Sequence, residues 1–115
     1  MPYLKIQTNI QLHKEHQVKF LTKLSKTLEE ILQKPEKYIM TILEQDIPLF
    51  FAGSDEPAVF AELKSIGLNI STTEKLTRNL CDFLHNELGV KEERIYIEFS
   101  KISGEMWGWN GKTFK

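Results

Sequence analysis

The chain begins Met1-Pro2, and proline at this position carries chemistry that no other residue of the sequence offers. Pro2 is small enough for the initiator methionine to be trimmed, which would leave a secondary amine in place of an amide. An α-amino group titrates at about pH 8 in model peptides, and an apolar pocket or a neighbouring positive charge lowers that value. A neutral amine held against a ketone can remove an α-proton and return it elsewhere, which is general acid–base catalysis by one group. Many chains begin Met-Pro without such chemistry, so Pro2 alone assigns nothing. The other reactive side chains say less. His13 and His16 could meet on a helical turn, yet two imidazoles without a third ligand make a poor metal site. Cys81 is the only cysteine, which excludes an internal disulfide and a multi-cysteine zinc site. His85 falls between core positions of a helix with no partner legible. No metal and no organic cofactor is expected.

The surroundings of Pro2 must come from one domain. The 115 residues, 41% hydrophobic and 27% charged, suffice for a single core spanning 1–115. Fifteen basic and sixteen acidic residues are spread along the chain for a net charge of −1, so neither nucleic acid nor an anionic membrane is an expected partner. The start lacks a basic leader with an apolar run, and no stretch approaches a membrane span. A cytoplasmic location is the expectation, with leaderless export leaving an extracellular role open.

Leu4, Ile6, Thr8 and Ile10 alternate with polar neighbours, as in a strand with one buried face. From His16 to Gln33, Val18, Leu21, Leu24, Leu28, Ile31 and Leu32 recur at helical spacing, with no clean cap at the start and Lys34-Pro35 at the end. Tyr38 to Leu43 is apolar on both alternating faces and predicts a strand covered on two sides. Asp46 to Pro57 reads as a loop with Leu49, Phe50 and Phe51 tucked inward. A third strand covers Ala58 to Ser65, with Val59, Ala61 and Leu63 on one face and Gly67 after it. Ser71-Thr72-Thr73-Glu74 has capping-box spacing and predicts the start of a second helix. That helix carries Leu76, Leu80, Phe83, Leu84 and Leu88 and stops at Gly89. Ile95, Ile97 and Phe99 alternate in a fourth strand, reached through a charged, solvated connection, Lys91 to Arg94.

The halves share one plan, because Lys34-Pro35-Glu36-Lys37-Tyr38-Ile39 follows the first helix as Lys91-Glu92-Glu93-Arg94-Ile95-Tyr96 follows the second. Two strand–helix–strand units with right-handed crossovers predict an α+β fold: a four-stranded mixed sheet with both helices on one face. Only Gly104 to Lys115 is left to cover the other face, so a second copy of the chain is the expected cover.

The sequence resembles the macrophage migration inhibitory factor family of the tautomerase superfamily. The resemblance lies in Met1-Pro2, Thr8-Asn9, Lys34 to Ile39, Gly53-Ser54-Asp55-Glu56-Pro57, Ser65-Ile66-Gly67, Arg94-Ile95-Tyr96-Ile97 and Gly108 to Phe114, and it spans the chain. It implies a homotrimer with active sites between subunits and Pro2 as the base on the pocket floor. Lys34 matches a lysine that holds a substrate carboxylate; as an exposed residue it would also complement the helix dipole. Ile66 matches a residue whose backbone amide binds the same carboxylate, and it could equally just end a strand. Tyr96 matches a tyrosine from the adjacent subunit, or packs. Trp109 and Phe114 resemble pocket aromatics, or pack.

Three positions depart from the family's familiar pattern. Glu98 replaces an asparagine, and its charge could repel carboxylates or raise the base's pKa. Trp107 replaces a smaller aliphatic and would narrow the pocket mouth. Ala58 and Ala61 stand where the mammalian cytokine has a Cys-x-x-Cys pair, so thiol–disulfide chemistry by that route fails; Cys81 then reads as a small buried hydrophobe. The resemblance implies a keto–enol tautomerase acting on arylpyruvates, a small-molecule carboxylate substrate. Beside it stands a cytokine-like signalling protein that engages a protein receptor through its surface. Topology alone also admits a ferredoxin-like ligand-binding regulatory domain, indifferent to Pro2.

Overall fold

A computed structural model describes residues 1–115. Strands β1 (Tyr3–Thr8), β2 (Met40–Glu44), β3 (Val59–Ile66) and β4 (Ile95–Ile102), with helices α1 (Lys14–Leu32) and α2 (Thr73–Leu88), form the two repeated units. The strand order is β2-β1-β3-β4. β1 and β2 pair in parallel, as do β3 and β4, while β1 and β3 meet antiparallel. This is the four-stranded mixed sheet expected from the repeat.

The period-two pattern decides which face is buried. Leu4, Ile6, Val59, Ala61 and Leu63 point inward and form one cluster with Phe20, Leu24 and Leu28 of α1 and Leu76, Leu80, Cys81 and Leu84 of α2. Both helices therefore cover the same face. Cys81 belongs to that core, and burial raises its thiol pKa. Thr8 is buried with its hydroxyl donating to the Ala58 carbonyl at 2.8 Å, which satisfies the polar group. The opposite sheet face carries no helix: Tyr3, Lys5 and Gln7 of β1 are half-buried there, and Tyr96 and Glu98 of β4 are exposed. Neither helix is long and apolar enough to cross a membrane.

Several local expectations are corrected. The stripe of α1 runs through Phe20, Leu24 and Leu28, which turns Val18 outward to 62% exposure. β1 ends at Thr8 rather than Ile10, because Asn9 turns its amide to the loop, donating to the Asp55 and Glu56 carbonyls and accepting from the Ala58 amide. Tyr38 lies in a short 3-10 turn (Glu36–Tyr38) before β2. β2 lies at the edge of the sheet, and within one chain Met40 on its outer face is 59% exposed, so the cover expected there must come from outside the chain. Phe50 is not tucked inward: it is 76% exposed, while Phe51 turns back against Tyr96. Arg94, read as solvated, is buried. His85 has a partner, the Val90 carbonyl, 2.9 Å from Nδ1.

The capping box does not form. A 3-10 turn (Ile70–Thr72) precedes α2, and the Asn69 side chain accepts from the Ser71 amide at 2.9 Å. Asn69→Ala is therefore expected to cost about 1 kcal/mol in urea denaturation, with Ser71→Ala costing clearly less; the reverse ranking would restore the box. Past β4, another 3-10 turn (Gly104–Met106) leads to a hairpin of β5 (Gly108–Trp109) and β6 (Lys112–Thr113). Its turn residues Asn110 and Gly111 have φ of 53° and 82°, the left-handed pair a tight hairpin requires.

Candidate active site

Proline ahead of a strand costs no ladder hydrogen bond on its nitrogen side, so Pro2 can sit against the sheet without disturbing it. β1 begins at the next residue, and the Pro2 carbonyl accepts from the Met40 amide at 3.1 Å. The parallel pairing of Tyr3 with Met40 thus fixes residue 2 beside the start of β2. The Pro2 side chain is fully buried.

Pro2 borders a cavity of about 390 Å³ whose walls include Tyr38, Met40, Trp107, Trp109 and Phe114. Three of these aromatics form a box. Trp109 stacks on Phe114 with ring centroids 5.6 Å apart and planes 10° from parallel. Tyr38 meets both edge-on, at 5.5 and 6.3 Å. Edge-to-face and offset contacts at these distances are the favoured aromatic geometries. The β5–β6 hairpin, a segment with no expected role as an element, supplies this wall.

The terminal amine lies at the same cavity. In the untrimmed chain it belongs to Met1, and its pKa is lowered, chiefly by burial and further by the positive charge of Lys34. Both causes disfavour the cation. With Met1 attached, the Pro2 nitrogen is an amide and has no basicity to lend; trimming would move the amine to residue 2, which lies buried beside the same cavity.

Lys34 and Ile66 do not line the Pro2 cavity. They share a neighbouring cleft of about 190 Å³ with Ser65, Gly67 and Asn69. Lys34 follows the left-handed C-cap Gln33 of α1, φ 53°; Ile66 ends β3 before Gly67, φ 68°. Tyr96 and Glu98 are farther away. β1 reaches Lys64 of β3 at Tyr3, and Lys64 lies opposite Ser100 of β4. Tyr96 is four residues back along β4, about 13 Å at strand rise and two strands across. It is 61% exposed on the helix-free sheet face, its ring 4.6 Å from Phe51. Glu98 stands beside Glu62 on that face, and Lys5 lies 3.9 Å from Glu62 and 3.8 Å from Glu44. One chain therefore brings Pro2, Trp107, Trp109 and Phe114 together, places Lys34 and Ile66 next door, and sends Tyr96 and Glu98 outward.

Tyr3, Lys37, Tyr38 and Met40, none of them expected at the site from sequence, also line the cavity. The signal was the parallel pairing that a strand–helix–strand unit demands, which sets the start of β2 beside the start of β1.

Comparisons with known proteins agree with this architecture. A family model described as macrophage migration inhibitory factor matches residues 1–115. A macrophage migration inhibitory factor homolog of Trichinella spiralis is 36% identical over 115 residues, covering 99% of this chain and 100% of that protein. One of Brugia malayi is 37% identical over 119 residues, covering 99% of each. The crystal structure of a homologue from Prochlorococcus marinus superimposes with a TM-score of 0.91 at 38% identity, over 98% of this chain and 99% of that one. With its sequence, its fold and Pro2 beside an aromatic cavity all in accord, the chain belongs to the macrophage migration inhibitory factor family.

Proposed function

We infer that this protein is a keto–enol tautomerase of arylpyruvates, of the phenylpyruvate type, with the Pro2 amine as its base once Met1 is removed. The observation that carries the reading is the buried residue 2 beside an aromatic-walled cavity, where burial and Lys34 already lower the pKa of the adjoining Met1 amine. An aryl ring suits the box of Tyr38, Trp109 and Phe114. The amine takes the proton from the carbon next to the ketone, the C–H pair becomes the C=C bond, and the carbonyl π pair moves onto oxygen. The ammonium then returns its proton to that oxygen, and the enol leaves. The substrate's own carbonyl acidifies the proton, so the step calls for neither metal nor organic cofactor.

Lys34 and the Ile66 amide are the proposed anchors of the substrate carboxylate. The proposed assembly is a homotrimer, supported by the helix-free sheet face and by Tyr96 and Glu98, which project where only another subunit could use them. In that assembly the two residues border a neighbour's pocket.

The test is the loss of enol absorbance when phenylpyruvate enol is mixed with purified protein of verified N-terminus. The base must be unprotonated, so the rate should rise with pH through one ionisation. Burial and the Lys34 charge, which lower the pKa of the Met1 amine in the untrimmed chain, act in the same direction on an amine at residue 2, so the midpoint is expected below that of the same amine free in water. A rate no better than buffer at every pH would overturn the reading and favour a protein that acts through its surface alone.

A further inference from the structure

The cavity beside Pro2 has one charged side chain in its wall. Of its 11 lining residues only Lys37 carries a charged side chain, and none is acidic. Its neighbour Glu36 is engaged elsewhere, 3.6 Å from Lys26, and Lys37 takes part in no ion pair of the chain. The Lys37 ammonium lies 5.0 Å from the centroid of the Tyr38 ring, the ring that meets Trp109 and Phe114 edge-on. The charge therefore sits at the aromatic end of the cavity.

Lys34 lies outside this wall, within reach of the terminal amine. It shares a cleft with Ile66. In a 2-oxo acid the carboxylate is bonded to the ketone carbon, so it stays close to the proton being moved and to the base. That assigns the carboxylate to Lys34 and leaves Lys37 facing the ring. A ring that fills the box strips water from the inner side of that ammonium, a cost an anion on the ring would offset.

Resting on the reading of Pro2 as the base, we propose that Lys37 is a specificity-determining residue that selects aryl 2-oxo acids bearing a second anionic group on the ring over those with an uncharged ring. Lys37 keeps access to water, so the selection is modest and salt-sensitive.

Enolisation of phenylpyruvate and of its para-carboxylated analogue, each measured as kcat/KM with the trimmed full chain and with Lys37→Gln, tests the assignment. The wild-type protein should favour the carboxylated substrate by about fivefold at low ionic strength, mainly through KM. The preference should fall to about one in Lys37→Gln, survive in Lys37→Arg, and shrink in about 0.5 M salt. A wild-type ratio near one would overturn the proposal; it is the result expected if a neighbour's Glu98 already pairs with Lys37. So would an equal loss on both substrates in Lys37→Gln, which would make Lys37 an anchor for the shared carboxylate. Turnover of neither substrate would instead remove the tautomerase reading, and the proposal with it.

Discussion

Pro2→Gly should lower kcat for phenylpyruvate enolisation by about 100-fold or more, within the range a positioned general base contributes. The substitution leaves an amine at the terminus after trimming, so the loss isolates what the ring supplies. Pro2 is fully buried beside β1, and its carbonyl is tied to the Met40 amide. Its ring both holds the nitrogen at one place and excludes water from it. Glycine frees the terminus to rotate and lets water solvate the cation, which raises the amine pKa and shifts the pH–rate profile upward. A chain that keeps Met1 should lose at least as much activity, since an amide nitrogen cannot accept the proton. Mass spectrometry of the intact chain, run beside the assay, ties each rate to a defined terminus. Wild-type turnover in the Met1-retaining chain would show that the base lies elsewhere.

Arg94→Met should destabilise the fold by about 3 kcal/mol and loosen residues 51–57, measured by urea denaturation and by amide hydrogen exchange. Arg94 is only 8% exposed, and no carboxylate pairs with it. Its guanidinium instead donates to the carbonyls of Phe51, Ser54, Glu56 and Pro57, at 2.9 to 3.1 Å. Methionine fills much of the volume but leaves those acceptors to find water or remain unpaired. The guanidinium also lies 5.3 Å from the Phe51 ring, which packs on Tyr96. Loosening the loop should therefore free Tyr96 as well, seen as a change in its ring environment by NMR. A stability change under about 1 kcal/mol, smaller than even the lower penalty for a buried unsatisfied group, would show that the loop holds without this clamp.

Arg94 also shows where sequence reading fails. Lys91-Glu92-Glu93-Arg94 looks like a solvated connection because charge runs usually are. Its first three members are exposed, and only the fourth is swept under the 51–57 loop by the start of β4. The loop that captures it lies some 40 residues away in the chain, and no local pattern encodes that meeting. Phe50 and Phe51 fail for a related reason: adjacent aromatics in a loop point to different sides, and only the position of Tyr96 decides which one is covered. The missed cap is a different case, for Asn69 stood in view two residues before Ser71 and two local capping schemes competed. The Asn110-Gly111 hairpin was equally legible, since that pair is the strongest short turn signal in a sequence.

The elements themselves were written in the order of residues. Alternation at period two and recurrence at three and four express how a strand or helix turns its apolar side to one solvent-free face, and that preference acts over a few neighbours. The repeat of the two halves then sufficed for the mixed sheet, and the match of residue types along the chain for the family. Tertiary structure alone decided the composition of the site. Parallel pairing set residues 37 to 40 beside residue 2, a hairpin near the other end of the chain closed the aromatic wall, and the strand register carried Tyr96 and Glu98 out of reach. Those outcomes depend on contacts between distant segments, whose free energies arise only after the chain has folded back on itself.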